Sequence, residues 1–295
     1  MRTIKRHGLV CPLHPLQVLS WMVILYTIGV AYAVVLPLSS SSLKAVFGVL
    51  FSLFEAAVLI LGLWATLLDP TDLMVYKKKA EDENAEFRAF CSLCNCNVAL
   101  TSKHCGQCNR CVDEFDHHCK WLNNCVGGRN YRVFIVLICA LQATTAVVIA
   151  FGAVVIADFE DFKEKVGDVY GNSHFDTILG LMSALLLGNI GVFLANGQLI
   201  LLHIWLKYKG MSTYEYIMHK RSRRRQSDTD VHPGSDSNSE HLESDRAALA
   251  REEEPGKADS GRALAETIPS PARQVTSVHL HTPSDGVVNT IESGL

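Results

Sequence analysis

A dense group of cysteines and histidines occupies residues 91–125. This stretch holds eight of the chain's ten cysteines, together with three histidines and two aspartates. Closely spaced Cys-x2-Cys pairs with nearby histidines are typical of zinc sites that have four ligands. Two such sites need eight ligands, so three of the cysteines and histidines are left over. The spacing therefore predicts two metal sites, and it leaves groups that are free for other chemistry.

Adjacent residues in an extended chain point in opposite directions, and this divides the ligands between the two sites. His104 and Cys105 are neighbours, so we expect them to bind different metal ions, and the same argument separates His117 from His118. The spacing alone does not decide which histidine belongs to which site. The ligand sets that we predict are Cys91, Cys94, His104 and Cys111 for the first site, and Cys105, Cys108, His118 and Cys125 for the second.

Cys119, His117 and Asp116 predict a different chemistry. A free thiol, with a pKa of about 8.5, is only a few per cent thiolate at neutral pH. A neighbouring imidazole can accept its proton, and a carboxylate can orient the imidazole and stabilise the imidazolium. The three residues therefore predict a nucleophilic thiol, with a third metal ligand or an inert thiol as the alternatives for Cys119. Cys96 also lies outside both ligand sets, and we expect it to be a spare small side chain.

Four long apolar runs surround this cysteine-rich segment. They are residues 16–38, 45–68, 133–157 and 178–206, and Glu55 is the single charged residue among them. Each run has the roughly 20 residues needed to cross a bilayer core, whereas a large soluble domain with buried helices is the alternative. An acid at the depth of Glu55 needs a partner, and we expect a hydrogen bond to Thr144, Asn189, Asn196 or Gln198.

The predicted fold class is thus an all-α membrane protein with four transmembrane helices. A small zinc-stabilised cysteine-rich domain, residues 69–131, lies between the second and third helices, because a core of that size would not hold without metals. We expect an interfacial segment at 207–219, where aromatic, apolar and polar residues alternate. Residues 220–295 lack Phe, Trp, Tyr and Cys, which predicts a disordered tail. No internal repeat is evident.

Lysine and arginine are concentrated at one end of the predicted helices. They occur in residues 1–15, after the second run and after the fourth run, whereas residues 39–44 and 158–177 are poorer in them. The positive-inside rule therefore places both termini and the cysteine-rich domain in the cytosol. The cytosol is reducing, so the clustered cysteines are expected to be metal ligands or catalysts rather than disulfides.

Residues 91–134 resemble the cysteine-rich domain of the Asp-His-His-Cys (DHHC) family of protein S-acyltransferases, the palmitoyltransferases. Asp116-His117-His118-Cys119 is the motif that names the family. Asp69-Pro70-Thr71 resembles the family element after the second helix, and Ser212-Thr213-Tyr214-Glu215 resembles the element after the fourth. The residues that continue the main motif are Trp121, Asn123, Asn124, Cys125, Val126, Gly127, Asn130, Tyr131 and Phe134.

The resemblance implies that Cys119 carries the acyl group, that His117 and Asp116 assist it, and that the second histidine of the motif binds zinc. It implies two structural Zn²⁺ ions, palmitoyl-CoA as acyl donor, and cysteines of membrane-associated proteins at the cytosolic face as acceptors in a ping-pong reaction. It also implies a multi-pass protein of the endoplasmic reticulum or Golgi membrane. The alternative is a catalytically weak or inactive zinc-containing membrane scaffold or adaptor.

Two other classes of protein fit the sequence poorly. A transporter needs polar residues along a path across the membrane, and the few polar residues of the four runs do not form one. A nucleic-acid-binding zinc finger needs a basic helix and is not fixed to a bilayer, so we expect no nucleic-acid partner.

Lys120 departs from the common family pattern, which has proline after the catalytic cysteine. Together with Trp121-Leu122-Asn123-Asn124, this lysine resembles an animal subgroup numbered one and eleven. A cation at this position can lower the pKa of a neighbouring thiol or bind a phosphate of coenzyme A. A solvated lysine is the alternative.

Overall fold

The computed structural model describes residues 4–77 and 88–231. The predicted tail therefore lies outside the described residues from 232 onward. Four helices are long and apolar enough to cross a membrane, and each coincides with one of the four apolar runs: Pro15–Leu38, Ser41–Leu67, Tyr131–Ala157 and Asn172–Lys209. The prediction of a mostly helical chain with four candidate membrane helices, and a cysteine-rich segment between the second and third, is confirmed.

The first of these spans is interrupted near its end. Helix α1 (Pro15–Val30) continues into a π-helical segment, Ala31–Val35, and then into a short turn, α2 (Leu36–Leu38). Pro37 has no N–H to offer the carbonyl four residues earlier, which is that of Ala33. The hydroxyl of Tyr170 donates a hydrogen bond to this carbonyl instead. A side chain from outside this span thus donates to the carbonyl that the proline leaves without a helical partner.

The three longer helices form the centre of the bundle. They are α3 (Ser41–Leu67), α4 (Tyr131–Ala157) and α6 (Phe175–Lys209), and α4 packs against both of the others. Gly152 permits a close approach of α4 to α6, because a Cβ there would lie 2.7 Å from the side chain of Leu186. Small residues commonly allow such close packing between membrane helices.

A fifth helix, α5 (Phe159–Tyr170), lies between α4 and α6 in the chain, within the segment 158–177 for which the sequence analysis predicts no helix. The side chain of Asp158 accepts a hydrogen bond from Asp161 N–H at the start of this helix. Phe162 and Val166 are fully buried in the same hydrophobic cluster as the membrane helices. Helix α5 therefore covers the end of the bundle with its apolar face.

Glu55 is predicted to form a hydrogen bond with one of four side chains. Three of them, Thr144, Asn189 and Asn196, donate to other groups instead. The carboxylate is buried on α3, and its Oε1 has no hydrogen-bond partner. Asn196 donates to Ile138 O and Gln142 Oε1, and Thr144 and Asn189 donate to the carbonyl four residues earlier in their own helices. Polar side chains in an apolar helix satisfy the nearest carbonyl first, so these groups are already engaged.

Helix α7 (Thr213–Val231) follows α6 after a left-handed glycine, Gly210. Ser212 and Glu215 form a reciprocal capping box: Ser212 N–H donates to Glu215 Oε2 at 2.8 Å, and Glu215 N–H donates to Ser212 Oγ at 3.2 Å. The helix continues past residue 219, where the interfacial segment is predicted to end, because this cap starts a helix that no proline or glycine then interrupts.

The cysteine-rich domain is fixed to the bundle by two buried polar side chains. Asn124 Nδ2 donates to the carbonyls of Ala65, Thr66 and Leu68, at 3.1, 3.1 and 2.8 Å, where α3 ends and its carbonyls lack helical partners. The Arg110 guanidinium is fully buried and donates to Asp69 Oδ1 at 2.8 Å. These contacts set the position of the domain relative to α3.

Candidate active site

Three short β-hairpins make up the cysteine-rich domain. Each consists of two antiparallel strands: β1 (Arg88–Cys91) with β2 (Cys96–Ala99), β3 (Lys103–Cys105) with β4 (Arg110–Val112), and β5 (His117–Cys119) with β6 (Asn124–Val126). Isolated two-stranded hairpins are marginal in water, so an additional source of stability is needed. The hairpins supply the side chains of the candidate metal centres and of the candidate active site.

The hairpins reveal a 14-residue repeat, although no repeat is evident on first inspection of the sequence. The units are residues 91–104, 105–118 and 119–132, and equivalent residues occupy equivalent places in the hairpins. The turn asparagines have positive φ angles of 50°, 51° and 52° at Asn95, Asn109 and Asn123. The shared positions are the first cysteine (Cys91, Cys105, Cys119), the turn asparagine, and a buried valine (Val98, Val112, Val126).

Two clusters of four side chains could each hold a metal ion, and they are the two ligand sets predicted from spacing. The first is Cys91, Cys94, His104 and Cys111, and the second is Cys105, Cys108, His118 and Cys125. Each cluster takes three ligands from one repeat unit and a fourth cysteine from the next unit. The structure therefore assigns His104 to the first cluster and His118 to the second, which the spacing leaves open.

The donor atoms have separations that fit a tetrahedral zinc ion. Nδ1 of His104 lies 3.3 Å from the sulfur of Cys94 and 3.8 Å from that of Cys111. Nδ1 of His118 lies 3.4 Å from Cys108 and 3.6 Å from Cys125. Zinc bonds of about 2.3 Å to sulfur and about 2.0 Å to nitrogen place tetrahedral ligands roughly 3.5–3.8 Å apart. Both clusters thus have the donor types and spacing of closed structural zinc sites.

The third repeat unit departs from the ligand pattern, and this separates Cys119 from the metals. Leu122 stands where the first two units have Cys94 and Cys108, and Arg132 stands where they have His104 and His118. Cys119 belongs to neither four-residue cluster, and it is 7% exposed. Its thiol therefore lacks the second cysteine and the histidine with which Cys91 and Cys105 could hold a metal ion.

His117 and Asp116 form a tight pair beside this thiol. His117 Nδ1 lies 2.6 Å from Asp116 Oδ2. Burial lowers the pKa of His117, but its hydrogen bonds with Asp116 and Cys119 outweigh burial and raise the pKa to about 9. Burial raises the pKa of Asp116, but hydrogen bonds from His117 and Thr213 outweigh it and hold the pKa below its usual value. The arrangement favours a carboxylate paired with an imidazolium, which is the state of His117 after it has taken a thiol proton.

Helix α7 orients the carboxylate of this pair. The N–H of Thr213, at the start of α7, donates to Asp116 Oδ1 at 2.9 Å. A helix N-terminus carries unpaired N–H groups and a partial positive charge, both of which stabilise an anion. The family-like element Ser212-Thr213-Tyr214-Glu215 thus provides the capped helix end that holds Asp116.

The ring of His117 packs against two other aromatic rings, those of Phe134 and His203. His117 lies 5.2 Å from Phe134 and 6.1 Å from His203, measured between ring centroids. His203 comes from α6, is buried, and shares a 3.2 Å hydrogen bond with Tyr131 Oη. The sequence analysis does not identify His203 as a site residue. Its signal in the sequence is an isolated histidine in an otherwise apolar run.

The remaining candidates lie apart from this centre. Cys96 is outside both clusters, and burial raises the pKa of its thiol, which disfavours the reactive thiolate. Lys120 is exposed in the turn between β5 and β6. The effect of this lysine on the reaction remains a prediction.

The N-terminal segment contacts the turn that follows Cys119. Gly8 N–H donates to Thr66 O at 2.8 Å, and Asn123 Nδ2 donates to Gly8 O at 3.0 Å. From α1, the buried amide of Gln17 donates to Gly8 O and to Leu122 O at 3.2 and 3.3 Å. The segment thereby joins the hairpin that carries Cys119 to the start of α1 and the end of α3.

Replacing Gly8 with alanine is expected to lower the thermal unfolding temperature of the protein in detergent by several degrees. A Cβ at Gly8 would lie 2.0 Å from Leu122 O, so the segment or the turn must move, at a cost of about 1–3 kcal/mol. The matched control is Gly106→Ala, since a Cβ at Gly106 meets nothing within 4 Å. Equal unfolding temperatures for the two variants would show that the segment does not dock as described.

Comparisons with known proteins agree with this geometry. Residues 84–220 match the family model described as DHHC palmitoyltransferase. The chain is 31% identical over 251 residues to palmitoyltransferase ZDHHC1 of Homo sapiens, covering 74% of this chain and 51% of that protein. It is 28% identical over 252 residues to palmitoyltransferase ZDHHC11 of Homo sapiens, covering 75% and 61%.

A plant relative extends the comparison. Protein S-acyltransferase 18 of Arabidopsis thaliana is 29% identical over 320 residues, covering 81% of this chain and 62% of the relative. The chain thus spans about half of ZDHHC1 and somewhat more of the other two. The resemblance to the animal members numbered one and eleven is confirmed, and the four apolar helices make the chain a multi-pass membrane protein. Residues 84–220, slightly under half of the chain, are therefore the part that is similar to the DHHC palmitoyltransferases.

Proposed function

We propose that this chain is a protein S-palmitoyltransferase whose acyl-carrying nucleophile is Cys119. The observation that carries the proposal is the position of this thiol: it has the place of a metal ligand in the repeat, but it lies outside both metal clusters and beside the Asp116–His117 pair. A nucleophile, a base and a group that orients the base are the components of covalent acyl transfer. The names of the relatives, which are palmitoyltransferases and an S-acyltransferase, agree with this chemistry.

In the first step, the Cys119 thiolate attacks the thioester carbonyl of palmitoyl-CoA. A new C–S bond forms to Cys119, the C–S bond to coenzyme A breaks, and the departing thiolate takes a proton from His117. The imidazolium is available because His117 has received the proton of Cys119, and Asp116 stabilises it through the 2.6 Å contact. No redox partner or external energy source is required, because one thioester replaces another.

In the second step, a cysteine of a protein substrate attacks the acyl-enzyme. His117 accepts the proton of the incoming thiol and then returns a proton to Cys119, so the enzyme is regenerated. The reaction is ping-pong, because coenzyme A departs and leaves an acyl-enzyme before the acceptor thiol reacts. The substrate class is cysteine-containing proteins held at the membrane face that carries the cysteine-rich domain.

Two Zn²⁺ ions would be held by the two four-residue clusters described above. Their chemistry is structural, since three thiolates and one imidazole close the coordination of each ion and leave no open position. Zinc bound at His118 and Cys125 would fix both strands of the hairpin that carries Cys119. The zinc ions would therefore make the hairpin that carries Cys119 rigid and would not supply a reactive group.

The membrane location follows from the acyl chain and from the charges. A palmitoyl chain leaves water with a gain of about 0.8 kcal/mol per methylene, so a nucleophile at the bilayer edge lets the chain remain in an apolar environment. Lysine and arginine are concentrated at the ends of the helices that adjoin the termini and the cysteine-rich domain. By the positive-inside rule, this supports a cytosolic active site and cytosolic termini. The resemblance favours the endoplasmic reticulum or Golgi membrane.

The proposal is tested by incubating the purified full chain with radiolabelled palmitoyl-CoA. We expect a label on the wild type that hydroxylamine removes, and no label on Cys119→Ser. Cys11→Ser and Cys139→Ser are matched controls, because both residues are exposed cysteines outside the metal clusters, and both variants should label as wild type does. No label on either the wild type or Cys119→Ser would favour the inactive scaffold, and a Cys119→Ser variant that labels fully would show that Cys119 is not the nucleophile.

A further inference from the structure

His203 is a buried imidazole that the two transfer steps do not use. It lies on α6, within a run of residues that carries no charged side chain, and it is 4% exposed. Burying a polar ring costs free energy unless it finds a partner, and the hydroxyl of Tyr131 supplies one at 3.2 Å. An apolar residue would fill this part of the helix without that requirement, so the histidine calls for an explanation.

The surroundings of His203 point to the catalytic pair. One ring nitrogen of His203 lies within 4.8 Å of a carboxylate oxygen of Asp116 and of a ring nitrogen of His117. Phe134 packs against both imidazoles, with centroid distances of 5.2 Å to His117 and 5.4 Å to His203. His203 therefore faces the reacting centre from the membrane helix, on the side where Phe134 supports it.

We propose that His203 is a positioning residue for acyl transfer, which holds the ring of His117 in line with Cys119. The inference rests on the proposed function. His117 must keep one nitrogen on Asp116 and the other toward the thiol, and contacts made only at the ring nitrogens leave the ring free to tilt about the line that joins them. Phe134 and His203 restrict that tilt, and Tyr131 fixes His203 in turn.

The polarity of His203 matters as well as its shape. Asp116 is a buried carboxylate, and an imidazole presents a polar atom toward it where a phenyl ring would present only carbon. His203→Phe therefore preserves an aromatic ring but removes both the bond with Tyr131 and the polar edge near Asp116. His203→Gln keeps a polar amide in reach of the same positions and is the conservative variant.

The test is the single-turnover rate of acyl-enzyme formation, measured against palmitoyl-CoA concentration in the purified full chain. For His203→Phe we expect the maximal rate to fall by about 10- to 100-fold, the effect of misplacing a catalytic group by a fraction of an ångström to an ångström. The palmitoyl-CoA concentration that gives half of the maximal rate should change little. His203→Gln should recover part of the rate, and Tyr131→Phe should lower it by less than His203→Phe does.

The matched control is Asn196→Leu on the same helix. Asn196 is also buried, and it donates to Ile138 O and Gln142 Oε1 on α4, at 2.8 and 2.7 Å, two turns or about 10 Å before His203 along α6. Its loss loosens the contact of α4 with α6 but leaves the surroundings of His117 intact, so the acylation rate should stay near that of the wild type.

The outcomes separate the two proposals. A His203→Phe rate equal to the wild-type rate, or an equal fall in His203→Phe and Asn196→Leu, would overturn the positioning role while acyl transfer at Cys119 stands. A wild type that forms no thioester at Cys119 would overturn both. If His203→Phe does not fold, the rates of His203→Gln and Tyr131→Phe decide, since a rate equal to wild type in both variants contradicts the inference.

Discussion

Replacing Cys108 with alanine is expected to remove one metal ion and to abolish acyl transfer. Cys108 is fully buried and belongs to the second cluster, with His118 and Cys125 of the catalytic hairpin. Structural zinc contributes roughly 10–16 kcal/mol to the folding of small domains, far more than a two-stranded hairpin supplies by itself. Without this ion, the hairpin that carries Cys119 loses its support on both strands.

Elemental analysis and the labelling assay measure the two effects together. The zinc content should fall from two ions per chain to one, and the hydroxylamine-sensitive label should disappear. Cys96→Ala is the matched control, because Cys96 lies on β2 in the same domain but outside both clusters. It should keep two ions and label normally. A Cys108→Ala protein that retains two ions would show that Cys108 is not a ligand.

His117→Ala is expected to slow acyl-enzyme formation by about 10²- to 10⁴-fold, the usual contribution of a positioned acid or base. The variant removes the group that accepts the thiol proton and returns a proton to the departing coenzyme A. Because His117 is not in either metal cluster, the zinc content should remain at two ions per chain. The effect would then be one on chemistry rather than on folding.

The variant Asp116→Asn measures how much the negative charge of Asp116 contributes to acyl-enzyme formation. The amide preserves the size of the side chain but carries no charge, so it cannot stabilise an imidazolium at His117 as the carboxylate does. We expect a smaller fall in the acylation rate than for His117→Ala, again with both zinc ions present. Single-turnover labelling measures both variants. A His117→Ala protein that is acylated at the wild-type rate would rule out His117 as the base.

The two four-residue clusters are the parts of the site whose members local sequence groups correctly. The eight ligands lie within 35 residues, and the alternation of an extended chain separates His104 from Cys105 and His117 from His118. The spacing does not assign the histidines, because that choice depends on how the hairpins stack on each other. The membrane helices are equally well marked by run length, since a bilayer imposes the same requirement on every span.

Other features depend on contacts between distant parts of the chain. Helix α5 has Phe159, Phe162 and Val166 at helical spacing among acidic residues, an amphipathic pattern that a search for long apolar runs does not detect. The sequence does contain a signal for the start of α5: Asp158 is an N-cap residue, and acidic residues follow it in the first turn. His203 meets His117 from 86 positions away, and no local pattern predicts such a contact.

The 14-residue repeat has one further consequence. The same backbone template places a sulfur atom at three equivalent points, at Cys91, Cys105 and Cys119. In the first two, a dication would keep the sulfur negative and unreactive, whereas at the third the companions are Leu122 and Arg132 and the counter-charge comes from a protonated ring. The loss of two ligands in one copy of the repeat thus leaves its sulfur without a metal site, and in the proposed reaction the neighbouring Asp116–His117 pair makes that sulfur a reagent.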